Sequence, residues 1–331
     1  MKKVILFSLI LPLLWSCNTG SQRNLKVDTG EIEIPVVEIM RYEKALFLIN
    51  PDSLQSQLKK IAPDYPAFLG ADLDDTLHII QLHRFVSNPL NRMLFDSVMA
   101  IYPHLDFLED QLTDAFRYFK YYFPNKPIPD VFSYVSGLLY EMPVQFFNDD
   151  MIIALDMYLG QLDEYRKMRI PLYKIQNMNR EHVARDAMYE LYYYHFMEKP
   201  GKDFLQLMIN RGKHLYFLDA MMPQTADPVK IGYSPEKMEW CKANEKNIWA
   251  FVIENELLYS SNTQITRKFF TDGPFTSEFS ADSPARIGEW LGWQIVRAYM
   301  DRNPQISLSQ LIEEKDAQEI LKKSAYKPVG H

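Results

Sequence analysis

Cysteine is nearly absent from this chain, whose 331 residues contain only Cys17 and Cys241. Since Cys17 belongs to a lipidation motif described below, no intramolecular disulfide is available, and stability has to come from packing. Cys241 lies in a helical segment beside Trp240, with no histidine or second cysteine close in sequence. We therefore expect it to be a buried apolar residue and not a reactive thiol.

Glycine is also scarce, and clusters of basic residues are missing. Twelve glycines in 331 residues leave long stretches without a turn former, which favours helices over a turn-rich β-fold. The formal net charge is −7, and loss of a signal containing Lys2 and Lys3 makes it two units more negative. This excludes a basic nucleic-acid-binding surface, and an anionic membrane surface would not attract the chain.

Long apolar runs are confined to the amino terminus. No later segment reaches the roughly 18 uninterrupted apolar residues of a transmembrane helix. Apolar residues still make up 47% of the chain, and 14% of it is aromatic, so a large core can form. The length permits one large domain or two closely packed ones.

The first seventeen residues predict a bacterial lipoprotein signal. A basic head at Lys2 and Lys3 precedes an apolar run over Val4–Leu14, and Leu14-Trp15-Ser16-Cys17 has the form of a lipobox. We expect cleavage before Cys17 and acylation of its thiol with diacylglycerol and chains such as palmitate, which is enough for stable anchoring. The alternative is a plain secretory signal in which the cysteine falls there by chance.

The chain divides by composition into three parts. Residues 1–16 are the predicted signal peptide, and residues 17–30 are polar and read as a tether. Residues 31–328 form a single predicted domain, because no internal repeat or linker interrupts them. No Lys-Asp/Glu-Glu cluster follows Cys17 directly, which favours a domain that faces the periplasm over one on the outer surface.

Two kinds of periodicity predict an α+β fold that is mainly helical. Segments of strand length, expected to form a small sheet, are Ile32–Ile39, Val131–Leu139 and Met151–Leu159. Helical spacing and capping residues predict helices over Leu77–Phe85, Asn91–Ile101, Leu105–Phe123, Asn179–Met197, Lys202–Met222, Glu236–Leu258, Ala285–Met300 and a last helix capped by Asp316. Ser234-Pro235 and Ser283-Pro284 are the predicted start signals of the helices that follow them.

His182, Asp186 and Glu190 share one face of the helix predicted to begin at Asn179. The spacing is that of the zinc peptidase motif His-Glu-x-x-His, but Asp186 replaces the second histidine and Val183 the general base. A metal site would need a third ligand, for which Asp219 and Glu289 are candidates. The alternative is a solvated helix face on which His182 pairs with Asp186 and Arg185 with Glu181.

Other candidate residues point to structural roles. Asp156, in the middle of a predicted strand, is expected to share a face with Ala154 and Tyr158 and to accept structural hydrogen bonds. Gly288 and Gly292, following Ala285, are spaced to let another element approach closely. Candidates for pairing and for interface roles are Arg286 with Glu289 at i and i+3, and Tyr192, Tyr193 and Tyr194. The sequence contains neither a glycine-rich phosphate loop nor a Gly-x-Ser-x-Gly elbow.

Four segments together resemble the gliding-motility lipoprotein GldB family: Ala154–Gly160, Leu257–Tyr259, Pro284–Val296 and Ala317–Pro328. The resemblance spans nearly the whole predicted mature chain, and Ala285–Val296 is its most specific part. It implies a role in surface gliding and the linked secretion system, without an established enzymatic activity. The family also looks distantly like gluzincin-type zinc peptidases, which implies a zincin-like domain with a degenerate metal motif.

Two functions follow as hypotheses. The first is a non-catalytic, lipid-anchored envelope protein that needs no cofactor and binds other envelope proteins of the gliding or secretion machinery. The second is a divergent zinc metallopeptidase or amidase that uses His182, Asp186 and a later carboxylate. The zinc content of the purified protein distinguishes them.

Overall fold

A computed structural model describes residues 23–196, 201–278 and 281–328, which form sixteen α-helices and four β-strands. The predicted mainly helical α+β class is confirmed. The predicted signal peptide and the lipidation site Cys17 lie outside the described residues. Among the helices that are described, none has the length and apolar character needed to cross a membrane.

The sheet has the strand order β1-β2-β4-β3. Its strands are β1 (Ile39–Arg41), β2 (Val131–Tyr134), β3 (Val144–Phe147) and β4 (Asp150–Ala154). β1 pairs with β2 and β2 with β4 in parallel, whereas β3 and β4 form an antiparallel hairpin. Its turn residues Asn148 and Asp149 have φ of 50° and 70°, as two-residue hairpin turns require.

Each of the three predicted strands is shorter in the structure, and the sheet contains a fourth strand, β3, that the sequence did not predict. Of the segment Ile32–Ile39 only Ile39 lies in a strand; the amide of Val37 donates to Thr113 and that of Ile39 to Glu109, both side chains of a helix. Val131–Leu139 leaves the sheet after Tyr134, and Gly137 and Leu138 then take positive φ. Met151–Leu159 continues after Ala154 as a 3₁₀ turn.

Six helices lie between β1 and β2, and ten follow β4. The first group is α1 (Tyr42–Phe47), α2 (Leu54–Ile61), α3 (Pro66–Leu69), α4 (Thr76–Ser87), α5 (Pro89–Ile101) and α6 (Asp106–Tyr122). The second is α7 (Asp163–Lys167), α8 (Leu172–Ile175), α9 (Val183–Phe196), α10 (Phe204–Met221), α11 (Asp227–Ile231), α12 (Pro235–Glu254), α13 (Thr263–Phe270), α14 (Ile287–Arg302), α15 (Leu308–Glu313) and α16 (Ala317–Ser324). Short 3₁₀ turns cover Pro51–Ser53, Ala62–Asp64, Leu155–Met157 and Arg180–His182.

Several predicted helix starts are confirmed and one is wrong. Ser234 caps α12 through the amide of Lys237, and Asp316 caps α16. Asn179 caps the 3₁₀ turn that leads into α9. Ser283-Pro284 does not open α14; its N-cap is Arg286, whose φ of 58° lies in the left-handed region.

α10 and α14 form the centre of the helical part, where their backbones touch. A Cβ atom on Gly292 would lie 1.8 Å from the carbonyl oxygen of Met208, and one on Gly212 would lie 2.3 Å from that of Gly292. Gly288 faces α13 instead, where a Cβ would come 2.5 Å from the ring of Phe270. Glycine at these positions therefore sets the separation of the helices.

Candidate functional site

The three polar residues predicted to share one helix face do not form a solvated surface. His182 lies in the 3₁₀ turn before α9 and is 7% exposed, with its Nδ1 atom 3.0 Å from Oδ1 of Asn179. Burial lowers the pKa of His182, and the nearby charge of Asp186 only partly opposes this. Arg185 pairs with Asp186 at 2.5 Å, so the predicted pairs Arg185–Glu181 and His182–Asp186 are wrong.

The candidate third metal ligands are both paired with cationic side chains. Asp219 belongs to a separate buried cluster, where its carboxylate oxygens form ion pairs with Nζ of Lys230 at 2.8 Å and with Nε of Arg297 at 2.7 Å. Glu289 is paired with Arg286 at 3.1 Å. Across residues 23–196, 201–278 and 281–328, no group of three His, Cys, Asp or Glu side chains is placed to hold a metal ion.

Three of the predicted residues, Asp186, Glu190 and Glu289, instead line a cavity of about 430 Å³ between α9, α10 and α14 and the loop before β3. We call it the charged cleft. Besides Pro143, Val144, Asn177 and Phe270, it is lined by Glu141, Arg185, Asp186, Tyr189, Glu190, Arg211, Asp272, Arg286 and Glu289. Five carboxylates thus face three guanidinium groups, and the lining carries an excess of negative charge.

The arginines of the charged cleft are held in fixed positions. Arg286 donates to Glu289 at 3.1 Å and to the carbonyl oxygen of Ile231 at 2.8 Å. Glu289 also lies 3.5 Å from Arg211, so a single carboxylate on α14 joins two arginines. A non-glycine residue in the left-handed region costs about 1–2 kcal/mol, and these contacts hold Arg286 there.

Glu190 and Glu141 are the carboxylates of the cleft for which the described residues provide no ion-pair partner, and Glu190 is the less exposed of the two. Burial raises its pKa to about 7, the negative charge of Asp186 adds to the effect, and Arg185 only partly opposes it. Asp186, by contrast, accepts from Arg185 and also from the hydroxyl of Tyr158 at 2.8 Å. Glu190 is therefore the group best placed to receive a positive charge from outside.

The fold brings four of the predicted residues, Asp186, Glu190, Arg286 and Glu289, to the charged cleft. Arg211 and Asp272 also line it and are not predicted by the sequence. Their position depends on how α10 and the loop after α13 meet α14, and no local spacing signals it. The signal that could have indicated Arg211 is the presence of a charged residue on α10, a helix that is otherwise largely apolar and buried.

The remaining candidates occupy structural positions. Asp156 lies in the 3₁₀ turn after β4 and not on a strand face; it accepts from the amide and hydroxyl of Ser136 and from the amide of Leu138 at 2.8–2.9 Å. Tyr192 is buried, whereas Tyr194 is exposed and stacks on Phe146 with ring centroids 4.1 Å apart. Cys241 is a free, fully buried thiol whose pKa burial raises.

Comparison with known proteins gives one match. No curated protein and no solved structure matches the chain. The model of a family described as gliding motility protein GldB matches residues 22–328. That range contains all the helices and strands and both charge clusters described above, and so the chain belongs to the GldB family of gliding motility proteins.

Proposed function

We propose that this protein is a non-catalytic, lipid-anchored envelope protein that supports gliding motility or the associated protein secretion through contacts with other envelope proteins. The observation that carries the proposal is the family match over residues 22–328. The anchor is the acylated thiol of Cys17, after removal of residues 1–16. Residues 31–328 act as one domain on the periplasmic side.

The charged cleft is the proposed contact site for a partner. Its arginines are fixed by carboxylates within the fold, and Glu190 is the less exposed of the two acidic groups for which the described residues provide no such cation. A basic side chain of a partner would neutralise Glu190 and lie near the ring of Tyr189, which also lines the cleft. Such a contact gives specificity, because a partner with an acidic group at that point would meet the excess negative charge.

The chemistry of α9 supports a non-catalytic role. Val183 stands where a gluzincin has its general base, and it has no titratable group. Asp186 stands where the second histidine would be, and its oxygens are taken by Arg185 and Tyr158. A zincin-like fold with a lost metal site stays part of the proposal, and a functional zinc peptidase is its rival.

A gene replacement tests the proposal. In a gliding bacterium lacking its own family member, we expect the chain to restore colony spreading and the Cys17→Ser variant to fail. Glu190→Gln, which keeps the shape of the side chain, should reduce spreading and the recovery of cross-linked envelope partners.

Glu254→Gln is the matched control, since Glu254 is exposed on the far end of α12. Full spreading with Glu190→Gln would remove the charged cleft from the proposal. One zinc ion per chain, lost in His182→Ala, would instead restore the peptidase hypothesis.

A further inference from the structure

A second cavity lies where the described chain begins. The amide of Arg23 donates to Oδ1 of Asp301 at 2.7 Å, and its guanidinium donates to the carbonyl oxygen of Ile306 at 2.8 Å. These bonds hold residues 23–26 against the end of α14. The segment forms one wall of a cavity of about 380 Å³, which we call the N-terminal cavity. Tyr216 and Asp219 of α10 and the start of α11 form other walls.

Most of the charges that line the N-terminal cavity are already neutralised. Arg297 binds both carboxylates of Asp219 and Asp227 with N–O distances of 2.7–2.8 Å, and Lys230 adds a contact of 2.8 Å to Asp219. The indole Nε1 of Trp293 donates a further hydrogen bond of 2.7 Å to the carboxylate of Asp219. What this cluster leaves for a ligand is the other charged and hydroxyl groups of the lining: Arg23, Lys26, Asp301 and Tyr216.

Tyr216 is the lining residue that points to a ligand. Its side chain is 2% exposed, yet its hydroxyl has no hydrogen-bond partner among the described residues. A buried hydroxyl left in this way costs about 1–3 kcal/mol, so such groups normally have a partner. Here the hydroxyl can donate to an acceptor held in the cavity beside the cationic groups of Arg23 and Lys26.

Asp301 adds an acceptor to this set of donors. One of its oxygens takes the amide of Arg23, and burial raises the pKa of the carboxyl although that bond and the charges of Arg297 and Arg23 oppose it. The lining therefore offers two cations, a hydroxyl and a carboxylate. A ligand with joined negative and positive groups is complementary to both kinds of charge.

The position of the N-terminal cavity identifies the source of such a ligand. Six residue steps separate Cys17 from Arg23, so whatever their conformation they span at most about 22 Å. If Cys17 is acylated, as the proposed function has it, the cavity is confined to the membrane-facing side of the domain. Phospholipid headgroups are concentrated there, and those that bear an amine join a phosphate to an ammonium group.

We propose that the N-terminal cavity binds the headgroup of an amine-bearing phospholipid, with the phosphate on Arg23, Lys26 and the Tyr216 hydroxyl and the ammonium on Asp301. This second contact would fix the orientation of the domain on the membrane, which a single acylated residue on a tether cannot do. The charged cleft on α9 would then always be presented at the same height and angle.

Calorimetric titration of the full chain with water-soluble headgroups tests the proposal, using the Cys17→Ser variant so that binding is independent of acylation. Glycerophosphoethanolamine should bind more tightly than glycerophosphoglycerol or inorganic phosphate. Tyr216→Phe removes the hydroxyl and keeps the ring, and we expect it to weaken binding about 2- to 10-fold. Lys26→Gln should weaken binding of all three probes, and Asp301→Asn should abolish the preference for the amine.

Matched controls are Tyr259→Phe and Lys246→Gln, which change exposed residues away from the cavity and should leave affinity unchanged. Equal affinity for inorganic phosphate and the amine headgroup would overturn a lipid source, and no binding of any probe would overturn the site. Neither result bears on gliding or on the charged cleft, so failure here is distinct from failure of the proposed function.

Discussion

The contact between α10 and α14 makes a quantitative prediction for Gly292→Ala. The added Cβ would lie 1.8 Å from the carbonyl oxygen of Met208 and 2.7 Å from its carbonyl carbon. Both are backbone atoms inside a helix, so no side-chain rotation relieves the clash. The helices have to separate along their whole contact, which also opens the packing around Gly212.

The magnitude follows from two opposing effects. Overpacking typically costs 1–3 kcal/mol, and a clash between two helix backbones belongs at or above about 3 kcal/mol. Replacing glycine by alanine within a helix returns about 1 kcal/mol of helix propensity. We therefore expect Gly292→Ala to lower the free energy of unfolding by about 2 kcal/mol or more, and Gly292→Leu to lower it further.

Two other glycines provide a graded comparison by urea denaturation. At Gly288 the Cβ meets the ring of Phe270 at 2.5 Å, and because a side chain can move, the loss should be smaller. At Gly273 the nearest atoms are 3.8 and 4.0 Å away, and alanine should be neutral. If Gly292→Ala unfolds at the same urea concentration as Gly273→Ala, the close approach of α10 and α14 is refuted.

Four further predictions concern the anchor and the charged groups. Cys17→Ser should abolish labelling by radioactive fatty acid and move the protein from the detergent phase to the aqueous phase; undiminished labelling would contradict the lipobox. The purified protein should contain less than stoichiometric zinc by emission spectrometry and leave a peptide library uncut, whereas one zinc ion that His182 is needed to retain would refute this. Burial raises the pKa of Glu190 to about 7, so as pH rises the folded state keeps this proton longer than the unfolded state does. The free energy of unfolding, measured relative to Glu190→Gln, should therefore fall as pH rises from about 4.5 to 7. A difference in urea midpoints that stays constant over that range would argue against the burial of Glu190. Asp219→Asn should destabilise the protein by about 3 kcal/mol, because buried Lys230 loses its close carboxylate and Arg297 keeps only Asp227, and a change below 1 kcal/mol would show that the cluster is hydrated.

Helix positions were predictable where the signal is local. The side chains of Asn179, Ser234 and Asp316 accept from amides two or three residues later, so the sequence alone carries the information. Ser283-Pro284 has the same local form, but the helix start that it predicts is wrong. The N-cap of α14 is Arg286, whose left-handed conformation is fixed by Glu289 and the carbonyl oxygen of Ile231.

The lengths of the strands were not predictable because the groups to which their backbone amides donate lie far away in the sequence. Alternation at Ile34 and Val36 is typical of a strand, but the amides of Val37 and Ile39 bond to side chains of α6 and not to another strand. The charged cleft was predictable only in part for a related reason. Helical spacing aligns Asp186 with Glu190, whereas Arg211 joins them only when α10 packs beside α9.

The close contact between α10 and α14 also determines when the chain can fold. α10 buries fourteen of its eighteen residues, and its main neighbour, α14, comes four helices later in the sequence. During synthesis or export from the amino terminus, α10 therefore emerges as an apolar segment with its main contact surface uncovered. The packing of α10 has to wait until α14 has emerged. We therefore expect the helical part to fold slowly and cooperatively, and only when the chain is nearly complete. A polypeptide that stops before Ile287 would leave α10 exposed and prone to aggregate.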